Sequence, residues 1–153
     1  MAAQERVVAE NRKARHDYFV DEVVEAGIAL TGTEVKSLRL GRANIRDSHA
    51  IIQHGECFLL NAHIAPYEQG NRWNHDPYRT RKLLLHRREI DELAGKVKQR
   101  GYTLVPLRVY FNARGRAKVE LALARGKRRY DKRESIAARE AQRRIERVMK
   151  NRR

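Results

Sequence analysis

Tyr102-Thr103-Leu104-Val105-Pro106-Leu107-Arg108-Val109-Tyr110-Phe111-Asn112, then Ala113-Arg114-Gly115, then Arg116-Ala117-Lys118-Val119-Glu120-Leu121-Ala122-Leu123-Ala124-Arg125 decide the architecture. Two alternating runs flank the turn Asn112-Ala113-Arg114-Gly115, where Gly115 suits a left-handed position. Val105, Leu107, Val109 and Phe111 share one face of the first run. Ala117, Val119, Leu121 and Leu123 share one face of the second. Alternation turns Lys118 and Glu120 to solvent. This is an antiparallel hairpin.

Upstream, Ile90, Leu93, Ala94 and Val97 follow a helical period, which predicts a helix over 87–99 with Gly101 as its stop. Leu83-Leu84-Leu85 leads into it. Residues 47–53 and 57–64 read as a second hairpin around His54-Gly55, with Ile51, Ile52, Phe58, Leu59 and Leu60 giving the strand bias. Pro66 to Arg81 has no usable period and reads as a long exposed loop, with Trp73 either folded back on the domain or free as a contact. Thr31-Gly32-Thr33-Glu34 fits a capping box for a short helix carrying Val35 and Leu38, stopped by Gly41, with Lys36 and Arg39 on its outer side. Residues 17–25 place Phe19 and Val23 on one face and Tyr18, Val20 and Val24 on the other, which predicts a strand inside a closed or covered sheet. Gly27 marks a bend or bulge. Residues 1–15 are polar and read as loose, with a basic approach, Asn11-Arg12-Lys13-Ala14-Arg15-His16, before the first strand. The expected fold is mainly β with helices (α+β). It is a small antiparallel six-stranded barrel of the oligonucleotide-binding (OB) type, with two or three flanking helices and a basic C-terminal tail. The expected division is a disordered 1–10, a barrel over 11–126 and a tail over 127–153.

The chain carries 34 Lys and Arg against 19 Asp and Glu, a formal net charge of +15 over 153 residues. Such an excess repels itself unless it meets a polyanion. Nucleic acid is the usual one and an anionic membrane the alternative. No apolar run reaches about 18 residues, so no membrane span is expected. Met1 to Arg15 has no apolar stretch of the secretory kind. Cys57 is the single cysteine, which excludes an internal disulfide and fits a reducing cytoplasm.

No Gly-rich phosphate loop is present. Cys57, His63 and His75 are too scattered for a zinc set. His16 and Asp17, adjacent on a strand, would point to opposite faces. Glu89, Asp91 and Glu92, like Asp21 and Glu22, read as solvated. No nucleophile, base and electrophile stabiliser assemble, so neither an enzyme nor a cofactor or metal is expected. What accumulates is cations beside rings: Arg15-His16-Asp17-Tyr18, Arg72-Trp73, Tyr78-Arg79 and Arg129-Tyr130. Phosphates call for the cations and unstacked bases for the rings, which favours RNA.

Gly126-Lys127-Arg128-Arg129-Tyr130-Asp131-Lys132-Arg133 joins the domain to the tail. It suits phosphate and stacking; a solvated linker is the alternative. From Ser135 the residues favour helix, but Arg139, Arg143 and Arg147 stand at i, i+4 and i+8, where like charges repel. Its apolar stripe (Ala141, Ile145, Val148, Met149) is thin and lacks the large side chains of a membrane anchor. The tail is therefore expected to be disordered when free and helical when its arginines meet phosphates.

Several stretches resemble the SsrA-binding protein family (small protein B, SmpB), in matching order and spacing. They are Asn11 through Tyr18, Glu25-Ala26-Gly27-Ile28-Ala29-Leu30, Gly32-Thr33-Glu34-Val35-Lys36-Ser37-Leu38-Arg39, Asp76-Pro77 through Arg81-Lys82-Leu83-Leu84-Leu85, and Gly126-Lys127 through Asp131-Lys132-Arg133. The resemblance runs from about residue 10 to the end. It implies a cytoplasmic adaptor in trans-translation, the rescue of stalled ribosomes. Such an adaptor binds the tRNA-like domain of transfer-messenger RNA (tmRNA) one-to-one as a monomer. It stands in for the missing anticodon arm and places its tail at the decoding centre and 16S rRNA. By the same resemblance Glu25, Leu84 and Lys118 match tmRNA-binding positions, with a plain core role as the alternative for Leu84; Arg12, Arg15, His16, Lys36 and Lys127 are further candidate RNA contacts. Asp131, Lys132 and Arg133 match a motif needed for tagging. Tyr130, which stands where some relatives carry His, joins Arg139, Arg143 and Arg147 as tail contacts to the ribosome. A structural ribosomal protein or general basic RNA binder is the alternative.

Overall fold

The computed structural model describes residues 5–68, 74–99 and 101–127. In chain order these form β1 (Arg6–Glu10), α1 (Arg12–Asp17), β2 (Tyr18–Ile28), α2 (Gly32–Arg39), β3 (Ala43–Asn44), β4 (His49–Gln53), β5 (Glu56–Leu60), β6 (His63–Ile64), β7 (Arg81–Leu84), α3 (Arg87–Val97), β8 (Tyr102–Phe111) and β9 (Ala117–Gly126). Among the described residues, six antiparallel strands close a ring in the order β8, β4, β5, β7, β2, β9 and back to β8. β1 adds to the edge of β8 beyond β4, and β3 pairs with β6 in a separate ribbon. The α+β class, the ring of six and three flanking helices agree with the sequence expectation.

Local signals explain several elements. The Thr31 hydroxyl accepts from the Glu34 N–H, while the Glu34 carboxylate accepts from the Thr31 N–H at 2.8 Å, so the capping box forms. Gly41, at φ +72°, takes the left-handed position that ends α2, its N–H donating to the Leu38 carbonyl. His54 and Gly55 both have positive φ, the two-residue turn whose twist matches the strands it joins. At the other hairpin the Asn112 side chain accepts from the N–H groups of Arg114 and Arg116.

The interior of the ring is apolar. Leu104, Val109 and Phe111 of β8 meet Val119, Leu121 and Leu123 of β9, with Leu38, Leu59, Leu83 and Leu93 from other elements. The expectation that Val105 and Leu107 share the face of Val109 is corrected. A bulge between Pro106 and Arg108 inserts one residue, and Val105 and Leu107 turn outward. There they pack with Ala122 and Ala124 under Ala14 of α1. The ring therefore carries apolar residues on both sides where α1 covers it.

Other expectations are also corrected. From Arg6 the N-terminus is strand β1, because the open edge of β8 supplies hydrogen-bond partners and Val8 and Ala9 pack against the core. Asn11 to His16 is no loose approach. The Asn11 side chain caps α1 by accepting from the Ala14 N–H at 3.1 Å, and donates to the carbonyls of Ile45 and Pro106 at 3.1 and 3.0 Å. β2 belongs to the ring, yet Val20 and Val23 on it are exposed; no element covers that stretch of its outer side among the described residues. The run 57–64 breaks at Asn61, whose φ of +63° bends the chain so that β6 leaves β5 for β3.

The end of the long loop is pinned rather than open. Glu34 and Arg81 are both fully buried and meet at 2.5 Å. Arg81 also donates to the carbonyls of Ala62 at 2.7 Å and Pro77 at 3.1 Å, and Arg79 reaches Glu34 at 2.6 Å. Burial pushes the Glu34 carboxyl up, but the bonds from Arg79, the Thr31 N–H and Arg81 outweigh it and hold the group at about 2. Trp73, Arg72 and the residues beyond Lys127 lie outside the described residues.

Candidate nucleic-acid interface

Strand order gathers residues from distant parts of the chain into one row. Gly27 of β2 pairs with Leu84 of β7 on one side and Lys118 of β9 on the other, and Lys118 pairs with Tyr110 of β8. Cross-strand partners share a face. Their chain neighbours Leu83, Ala26, Val119 and Val109 fill the interior, so this row crosses the outside of the ring. The next row, Glu25, Glu120 and Arg108, lies two residues along on the same face. Glu25, Leu84 and Lys118 are thus brought together by β7, β2 and β9.

Leu84 is 52% exposed while Leu83 is buried, so Leu84 is not a core residue. Gly27 is not a bend but the floor under it. A Cβ there would stand 3.2 Å from the Leu84 Cβ and 3.4 Å from its Cδ1. Any larger residue at 27 would require Leu84 to give way by a few tenths of an ångström. Beside it opens a cleft of about 350 Å³ with Leu30, Val35 and Phe111 as apolar wall and Arg116 and Lys118 as cations. An apolar wall with cations beside it suits a nucleotide, base against the wall and phosphate at the cations.

The carboxylate of Glu25 is exposed but held, because the Tyr110 hydroxyl donates to it. Tyr110 is buried, and burial first, then the nearby Glu25 carboxylate, keep its phenol above the usual range. The Arg108 guanidinium lies 4.2 Å from the Tyr110 ring centroid, and its Nε donates to Glu120 at 2.5 Å. Glu120 also accepts from Arg15 at 3.3 Å, which ties α1 to the same face.

A second group gathers at α1. Arg12, Arg15 and His16 are exposed there, and Lys127 Nζ donates to the Arg15 carbonyl at 3.4 Å. Lys127 also stands 5.3 Å from the Phe19 ring centroid. His16 and Asp17 do meet, at 3.0 Å, contrary to the expectation for a strand, because the helix runs through Asp17. Lys36 is exposed on α2, over the Tyr67 ring at 5.5 Å, apart from both groups. Arg79, read as one of the cation–ring pairs, is drawn to Glu34 instead. Tyr130, Asp131, Lys132, Arg133, Arg139, Arg143 and Arg147 lie outside the described residues. Three residues of this face went unread in the sequence: Gly27 as a floor, Tyr110 and Arg116. Their signal was two-residue spacing from Glu25, Arg108 and Lys118 respectively.

The model of the SmpB protein family matches residues 8–151. The chain belongs to the SmpB protein family. Among its SmpB relatives, the SsrA-binding protein of Moorella thermoacetica is 65% identical over 152 residues, covering 99% of this chain and 98% of the relative. The SsrA-binding protein of Geobacillus thermodenitrificans is 61% identical over 147 residues, covering 96% of this chain and 94% of the relative. A solved structure described as "tmRNA-SmpB: a journey to the center of the bacterial ribosome" superposes with a TM-score of 0.66 at 61% identity, covering 77% of this chain and 82% of that one. No helix among the described residues is long and apolar enough to cross a membrane.

Proposed function

We propose that this protein is a tmRNA-binding adaptor of trans-translation, acting in the cytoplasm as a monomer bound one-to-one to tmRNA, without catalysis or cofactor. The observation that carries this is the outer row in which strand pairing sets Glu25, Leu84 and Lys118 side by side across three strands. Lys118 and Arg116 neutralise phosphates, and the apolar cleft beside Leu84 takes ribose or base. Glu25 accepts from base N–H groups or a 2′-hydroxyl, donors that a phosphate lacks. Arg12, Arg15, His16 and Lys127 extend the cationic surface around α1, and Lys36 on α2 is a separate contact to RNA. The names of the relatives and of the ribosome-bound neighbour support the same RNA and the ribosome as partners.

In this role the domain stands in for an anticodon arm. Arg139, Arg143 and Arg147 meet 16S rRNA near the decoding centre, together with Tyr130, Asp131, Lys132 and Arg133. The test is titration against the tRNA-like domain of tmRNA at two salt concentrations with excess tRNA as competitor. A chain with net charge +15 binds any RNA at low salt, and that component fades steeply as salt rises. Binding that survives salt and competitor is the expected result. Collapse to the level of tRNA would leave a general basic RNA binder or ribosomal protein.

A further inference from the structure

Tyr110 spends its hydroxyl in an unusual direction. Its strand, β8, and that of Glu25, β2, are not neighbours; β9 lies between them. Two strand spacings separate their backbones, about 10 Å. The phenol crosses β9 to reach Glu25, and tyrosine has the length to do so with a donor at its tip. Its ring is held on the way, buried at 2% exposure and covered by the Arg108 guanidinium. Arg108 is itself anchored by Glu120 and by Glu5, at 2.5 and 3.2 Å. Glu25, by contrast, sits on an open face where water could take its place as partner. A free glutamate side chain there would sample many rotamers.

Given the RNA-binding role proposed above, on which this rests, we infer that Tyr110 is a positioning residue, which aims the Glu25 carboxylate at RNA. It occupies one oxygen, Oε2, and leaves the other to accept from RNA. The rigid part is the stack of Arg108 on Tyr110, and the part that touches RNA is Glu25. The arrangement supplies direction rather than charge, since no cation facing phosphate is added or removed. An acid directed in this way accepts from base or ribose donors and repels phosphate, so it discriminates a correctly seated RNA from one held by charge alone.

Tyr110→Phe keeps the ring under Arg108 and removes only the donor. In titrations with the tRNA-like domain, affinity is expected to fall roughly five- to tenfold, the cost of immobilising one rotamer-rich side chain on binding. The slope of log affinity against log salt should stay at the wild-type value, because no phosphate contact is lost. The Glu25→Ala background provides the decisive comparison, since there the hydroxyl has no carboxylate to aim. In that background Tyr110→Phe should cost nothing further. Melting curves of all four proteins serve as the control for folding. Wild-type affinity for Tyr110→Phe, or an equal penalty with and without Glu25, would overturn the inference while leaving the RNA-binding role intact. Wild-type protein that cannot prefer the tRNA-like domain over tRNA would end that role, and this inference with it.

Discussion

Replacing Glu34 with glutamine removes one charge from the core and leaves another behind. The carboxylate is fully buried against Arg81 at 2.5 Å and Arg79 at 2.6 Å. Glutamine keeps the shape and one acceptor oxygen, so the lost quantity is mainly charge. Two routes give its size. Removing one member of a buried ion pair costs about 3–5 kcal/mol, because the remaining charge stays desolvated. Independently, the carboxyl is held at about 2 against an ordinary 4.5. At about 1.4 kcal/mol per pKa unit that difference is worth about 3 kcal/mol. The folded-state pKa is depressed, so this stabilisation is complete above pH 4.5 and is lost as pH falls toward 2. Glu34→Gln should therefore lower stability at pH 7 by about 3 kcal/mol, a melting shift of about 10 °C for a domain of this size. The gap to wild type should narrow steadily between pH 4.5 and 2. Urea and thermal melts followed by circular dichroism at pH 7 and pH 3 measure both quantities. A loss under about 1 kcal/mol at pH 7 would refute the reasoning, because a buried guanidinium cannot lose its counter-charge that cheaply. So would a gap that does not change with pH.

Lys118→Ala should weaken binding to RNAs of any sequence and reduce the salt slope by about 1, as expected for one lost phosphate contact; an unchanged slope would take Lys118 off the phosphate. Gly27→Val should lift Leu84 off β2, since even a Cβ meets that side chain at 3.2 Å. Because Leu84 is exposed, the melting temperature should barely move while affinity for the tRNA-like domain drops severalfold; full affinity would show that Leu84 makes no contact. Arg139→Glu with Arg143→Glu should leave tmRNA binding intact and impair tagging of stalled chains in a reconstituted translation assay, and normal tagging would remove the tail's proposed role.

Some of this was legible because its causes are local. Thr31 and Glu34 cap α2 across three residues, and Gly41 ends it within the same turn. Ile90 and Leu93 bury the face of α3 that their spacing announces. The β8–β9 hairpin follows from alternation around a tight turn, and β9 keeps the predicted face throughout. A net charge of +15 follows from composition and needs no fold.

What the tertiary structure decided depends on partners far along the chain. The bulge at 106–108 reverses Val105 and Leu107 because α1 offers an apolar cover there, which a two-residue period cannot register. Asn11 starts a helix because carbonyls of Ile45 and Pro106, 34 and 95 residues away, hold its side chain. Arg81 reads as a surface cation, yet lies buried because Glu34 and three carbonyls surround it. The sequence by itself determined the elements, their caps, the excess of cations and the family resemblance, all properties of neighbours or of sums. The meeting of Glu25, Gly27, Leu84, Tyr110 and Lys118 on one face was decided only by the closing of the ring. Tyr110 and Lys118 already face each other in the local β8–β9 hairpin, but the order β7, β2, β9 joins strands that are not consecutive, and no local pattern encodes which strand a given edge will find.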